Sequence, residues 1–79
     1  MYQSAIRDIV IQHARLSGDP ASLTETTDLY AAGLTSLTTV NLMLALEDRF
    51  NVEFPDRMLG RKTFESIASL NEAIQELTR

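Results

Sequence analysis

Ser36 is the residue of this sequence best placed to carry chemistry. It stands in Asp28-Leu-Tyr-Ala-Ala-Gly33-Leu-Thr-Ser36-Leu37-Thr-Thr-Val40, where a polar loop gives way to a helical pattern. The start of a helix offers backbone N–H groups without intrahelical partners, together with partial positive charge. Both favour a phosphate, so a serine hydroxyl in the first turn suits the attachment of a phosphorylated group. Serine at a helix start also serves as a plain cap, and local chemistry alone favours that simpler role. Context favours attachment: Gly33 three residues earlier, a long preceding loop, and apolar Leu37 and Val40 beside the hydroxyl.

Other chemistries find little support. The one histidine is His13, and Gly33-Leu-Thr-Ser36-Leu lacks the second glycine of the Gly-x-Ser-x-Gly elbow, which also needs a preceding strand. His13 falls on a predicted apolar face, where a packed ring is expected rather than a base. One histidine, no cysteine and scattered carboxylates give no metal-ligand spacing. The glycines stand apart at 18, 33 and 60, so no glycine-rich phosphate loop exists. No catalytic residue and no metal site are expected; a small hydrolase ranks last among the readings.

The elements that position Ser36 follow from the apolar spacing. The chain has 79 residues, room for one domain over 1–79, with 44% apolar and 23% charged residues. Tyr2, Ile6, Ile9, Val10 and His13 share one face of a helix predicted from about Tyr2 to Arg15, ended by Gly18 and Pro20. A Ser-, Thr-, Asp- and Gly-rich loop then runs over about 16–35, anchored by Leu23, Leu29 and Tyr30. Thr35 is expected to cap a second helix from Ser36 to Phe50. Thr39, Leu42, Met43, Leu46 and Phe50 line its inner face; Leu37, Val40 and Leu44 form a second, partly exposed strip.

Asn51 and Pro55 stop that helix, and a short turn over 56–60 points Met58 and Leu59 inward. Thr63 is then expected to cap a last helix, with Glu65 in its first turn, that buries Phe64, Ile67, Ala68, Ile74 and Leu77, and Asn71 too unless it turns outward. Nothing sustains a period of two. The predicted fold is an all-α bundle of three main helices and a short fourth.

Charge and composition narrow the partners. The formal charge is −4 and the only adjacent bases are Arg61-Lys62, which disfavours nucleic acid. No apolar run approaches membrane length and no basic, then apolar, leader is present. A cytoplasmic monomer without membrane contact is the expectation.

The residues around Ser36 resemble the acyl carrier protein family. That family has Asp-x-x-x-x-Gly-x-Asp-Ser-Leu, then a helix of the form x-x-Val-x-Leu-x-x-x-Leu-Glu-x-x-Phe, then a proline and a threonine-started helix. The matching residues are Asp28, Gly33, Ser36, Leu37, Val40, Leu42, Leu46, Glu47, Phe50, Pro55 and Thr63. The resemblance implies a four-helix carrier that is not itself an enzyme. Ser36 would bear 4′-phosphopantetheine, added from coenzyme A by a phosphopantetheinyl transferase, and the thiol of that arm would hold cargo as a thioester.

Two departures bear on partners. Thr35 stands where the family has aspartate, which keeps a cap and loses a charge. The outward positions Thr35, Thr38, Asn41 and Arg49 lack the acids typical of fatty-acid carriers, leaving Glu47 and Asp48. Since rim charges steer partner choice, a different enzyme set is expected, one that reads Thr35, Leu37, Val40, Asn41 and Met58. The stretch from Asp28 to Ser36, with Phe54-Pro-Asp56, Leu59 and Arg61-Lys-Thr-Phe64, is most similar to bacterial aminoacyl carrier proteins. Their partners are amino acid:carrier protein ligases resembling class II aminoacyl-tRNA synthetases, which pass an amino acid from an ATP-made adenylate to the arm. Carriage of fatty-acid, polyketide or peptide intermediates loaded by another acyl-activating enzyme stays open. So does an unmodified helical interaction module working through the Leu37/Val40 strip.

Overall fold

A computed structural model describes residues 2–14, 16 and 18–79. Arg15, the expected end of the first helix, lies outside them. The element order is α1 (Gln3–His13), a 3-10 turn (Pro20–Ser22), α2 (Ser36–Phe50), a second 3-10 turn (Asp56–Met58), α3 (Arg61–Phe64) and α4 (Ile67–Leu77). The described residues contain no strand. The all-α bundle with three long helices agrees with the sequence expectation, but its short fourth helix is α3 at Arg61–Phe64, while the expected 56–60 element is only a 3-10 turn.

Each long helix contributes a stripe at three- and four-residue spacing. Ile6, Ile9 and Val10 come from α1, Leu42 and Leu46 from α2, and Ile67, Leu70, Ala73 and Ile74 from α4. They meet in one core with Ala14, Leu23, Leu29, Leu34, Phe54, Met58 and Phe64. His13 departs from its expected inward place and is exposed, because Val10 and Ala14 take the buried positions in that turn. The ends of the bundle are tied by Tyr2. Its N–H donates to Asn71 Oδ1 at 3.2 Å, and its ring meets Phe50 edge-on at 5.2 Å. Asn71 is thereby buried with a partner, as a buried amide must be.

The last expected helix is two helices. Ser66 adopts extended backbone (φ −156°, ψ 163°), and its hydroxyl accepts the Ser69 N–H at 3.1 Å, so Ser66 caps α4. Thr63 is a residue of α3 and caps nothing there, since Gly60 is its N-cap. Ala68 and Leu77 are only partly buried, while Leu70 and Ala73 take the core positions.

The long loop is held from both sides. The Leu29 N–H donates to Glu65 O at 2.8 Å, and the Ala68 N–H donates to Glu25 O at 2.9 Å. From α1, the Arg7 guanidinium donates to Leu23 O and, at 2.9 Å, to Pro20 O. Leu23, Leu29 and Leu34 fill the space beneath.

The core reading makes Leu46 a sensitive position. Leu46→Ala should lower stability by about 2–5 kcal/mol, seen as an earlier urea midpoint at unchanged slope. A loss below about 0.5 kcal/mol would remove Leu46 from the core described here.

Candidate functional site

The site is built on the first turn of α2. Thr35 is the N-cap, with extended backbone (φ −111°, ψ 172°), and its hydroxyl accepts the Thr38 N–H at 3.2 Å. The Thr38 hydroxyl in turn accepts the Thr35 N–H at 2.8 Å, which closes a capping box with threonine in both roles. The Thr39 hydroxyl donates to Thr35 O at 2.7 Å and fastens the same turn again. Thr38 is therefore buried, not outward as expected, because its hydroxyl is spent on the backbone of the cap.

Ser36 is the first residue of the helix that this box begins. It is exposed, and its hydroxyl makes no hydrogen bond with the described residues. Thr35 does the capping, which leaves Ser36 free of that duty. No acid lies in the first turn, so the positive end of the helix dipole is left unneutralised.

The approach to Ser36 is fixed by a turn at Asp28. Its carboxylate accepts the Tyr30 N–H at 3.0 Å and the Ala31 N–H at 3.3 Å. The chain then reverses at Gly33, whose φ of 120° is open to glycine and strained for other residues. Leu34 returns a hydrogen bond to Leu29 O at 2.9 Å and is buried, a core residue that the loop composition had concealed.

Around the hydroxyl the surface is apolar. Leu37 is 72% exposed, and Val40 and Leu44 continue the strip along α2. Thr35 and Asn41 are exposed beside it. Met58 does not join them: the 3-10 turn of Asp56–Met58 carries its side chain into the core, leaving it 7% exposed. Leu59, expected to point inward, is 46% exposed and supplies the apolar surface on that side. Between α2 and α3 lies a hollow of about 440 Å³ that Ser36 borders, with Tyr30, Val40, Met43, Arg61 and Phe64 in its walls. An exposed, unpartnered hydroxyl at a helix start, with no neighbouring acid and an open hollow beside it, fits a covalently held phosphorylated group.

Glu47 has a role that its place near the helix end did not suggest. Its Oε2 accepts the Phe54 N–H at 2.8 Å and pulls the return strand of chain against α2. Asn51 makes that return possible by adopting left-handed backbone (φ 54°, ψ 51°) at the helix end.

The described residues hold no cluster of His, Cys, Asp and Glu suited to a metal, and none of their helices is long and apolar enough to cross a membrane. Ser36 is thus an exposed serine without a hydrogen-bond partner in the first turn of α2, flanked by an apolar strip and an open hollow. The family model described as "Phosphopantetheine attachment site" matches residues 4–74, and the chain belongs to this family of acyl carrier proteins. It is 39% identical over 72 residues to the aminoacyl carrier protein of Agrobacterium fabrum, covering 91% of this chain and 87% of that one. The carrier protein from Agrobacterium tumefaciens, solved with an engineered Bradyrhizobium japonicum glycine:[carrier protein] ligase and ATP, superposes with a TM-score of 0.89 at 37% identity. That match covers 96% of this chain and 99% of the other. A glycylated carrier protein, solved with the Bradyrhizobium japonicum ligase, superposes at 0.74 and 27% identity, covering 90% and 95%.

The cap gives a direct test of the site's foundation. Thr38→Val deprives the Thr35 N–H of its acceptor and should cost about 1 kcal/mol in thermal or urea unfolding. Thr35→Asp preserves a capping oxygen and should stay within about 0.5 kcal/mol of the parent. Equal stability of Thr38→Val and parent would mean that the reciprocal cap contributes nothing.

Proposed function

We propose that Ser36 bears 4′-phosphopantetheine and that the arm carries an amino acid as a thioester between partner enzymes. The observation that carries the attachment is the Ser36 hydroxyl itself: exposed, unpartnered and at the positive end of α2, within the span matched by the family model. The arm supplies a thiol whose thioester keeps a carboxyl group activated. Amino-acid cargo is supported by the likeness to an aminoacyl carrier protein and to carriers solved with a glycine ligase.

On this reading the chain's residues bind and present rather than react. Ser36 offers the oxygen that becomes the phosphodiester, and the capping box holds that oxygen at a fixed place. Leu37, Val40, Asn41 and Thr35 form the face read by the transferase and by an amino acid:carrier protein ligase, joined by Leu59 where Met58 is withdrawn. A face with apolar anchors and no acid in the first turn suits partners that dock by burial more than by long-range attraction. The whole chain acts as one carrier domain, monomeric, in the cytoplasm where coenzyme A and ATP serve its partners.

Intact mass after incubation with coenzyme A and a broad-specificity phosphopantetheinyl transferase tests the attachment. One prosthetic-group increment is expected on the parent and none on Ser36→Ala. No increment on either the parent or Thr35→Asp would exclude the carrier reading and leave an unmodified interaction module. Loading of the holo protein with glycine, ATP and the Bradyrhizobium japonicum ligase should add the amino acid. Failure there, with loading by a fatty-acyl activating enzyme, would move the protein to acyl cargo. Leu37→Ala removes an exposed anchor, and its expected effect is a rise of about tenfold in the KM of the ligase for the carrier at unchanged kcat.

A further inference from the structure

The hollow beside Ser36 contains one charged side chain. Arg61 borders it, and the Arg61 guanidinium carbon lies 4.2 Å from the centre of the Tyr30 ring. No Asp or Glu lines this space. The nearest acids of the loop are otherwise placed: Asp28 is bound to the Tyr30 and Ala31 N–H groups, and it lines a separate depression with Glu65. Arg57, a turn away, is paired with Glu76 at 2.7 Å, whereas Arg61 has no carboxylate partner among the described residues. A cation set on an aromatic face is held in place by the ring, while its in-plane N–H groups stay available to an anion. A guanidinium presents those donors as a fork matched to phosphate oxygens.

We propose that Arg61, seated on Tyr30, holds the phosphodiester that joins Ser36 to the arm. This rests on the reading of Ser36 as the attachment residue. Ser36 and Arg61 border the same hollow from α2 and α3, so a phosphate on the Ser36 oxygen and the guanidinium share one space. The Ser36 side brings the positive end of α2, and Arg61 brings a full charge from the opposite wall. The negative charge that the family places before the serine is absent here, since Thr35 is neutral, and nothing in the first turn competes with the phosphate for Arg61. Arg61 thus fixes the direction in which the arm leaves the protein. It is a positioning residue for the carried group, with Tyr30 as its seat.

The test uses the full chain, converted to the holo form and checked by intact mass. The Arg61 Nε–Hε resonance is compared between apo and holo protein, and the ³¹P resonance of the phosphodiester is compared between parent, Arg61→Gln, Arg61→Lys and Arg57→Gln. The proposal expects the Arg61 Nε–Hε signal to move on modification. It also expects the ³¹P signal to move in Arg61→Gln, to return toward the parent in Arg61→Lys, and to stay at the parent position in Arg57→Gln. An Arg61 signal that is identical in apo and holo protein overturns the proposal, as does a ³¹P signal unmoved by Arg61→Gln. If the mass shows no prosthetic group on the parent or on Thr35→Asp, the attachment reading falls and this proposal with it. Arg61 is exposed, so its variants should fold, and the backbone amide spectrum of each verifies this.

Discussion

Helix α2 begins at Ser36 because Thr35 and Thr38 exchange hydrogen bonds across its first turn. Everything the site offers depends on where that start falls. A helix begun one residue later would make Ser36 the cap and bind its hydroxyl to the backbone. A helix begun earlier would pair these N–H groups with the carbonyls of a preceding turn and move the free, positive end away from Ser36. By assigning the cap to Thr35, the chain leaves Ser36 with a free oxygen on a fixed frame. The cost is that Thr38 gives up its place on the outer surface.

That frame would drift without the loop that leads to it. The segment between α1 and α2 has little regular structure of its own, and its stability comes from the elements beneath it. Backbone hydrogen bonds from Leu29 to Glu65 and from Ala68 to Glu25 sew it to the junction of α3 and α4. Arg7 gathers two of its carbonyls from the other side, and three leucines anchor it in the core. The Asp28 turn and Gly33 then aim the chain into the cap. The junction of α3 and α4 thus does two jobs: it receives the loop that sets Ser36, and α3 raises Arg61 beside it.

What could be read from the sequence was what depends on neighbours in the chain. The Thr35 cap, the Asn51 stop and most of each apolar stripe involve residues within about a turn of one another and agree with expectation, whereas His13, Ala68 and Leu77 at the stripe edges yield the core to Ala14, Leu70 and Ala73. The placement of Thr38, Met58 and Leu59 was not, because a capping box and a 3-10 turn rotate side chains away from simple helical phase. Thr63 was the expected cap, but Ser66 takes that role. Beside it the Glu65 carbonyl accepts the Leu29 N–H, a bond across 36 positions in the chain, and Ser66 adopts extended backbone where α4 begins. The pairing of Arg61 with Tyr30 joins residues far apart in the chain and has no local signal at all.

The charge in the hollow also bears on what the carrier does with its load. A space walled by Val40, Met43 and Phe64 would shelter an apolar chain, and a buried apolar group needs no partner there. An amino acid held by its carboxyl group keeps a cationic amine, and burying that charge without an acid is expensive. The hollow supplies no acid and adds a guanidinium, so its electrostatics favour the anionic root of an arm and oppose the cationic end of an aminoacyl load. On the proposed reading the amino acid stays outside the bundle, reachable by an enzyme that docks on the Leu37/Val40 face. Protection of the thioester then falls to the partner's pocket, and specificity to the fit of that docking face.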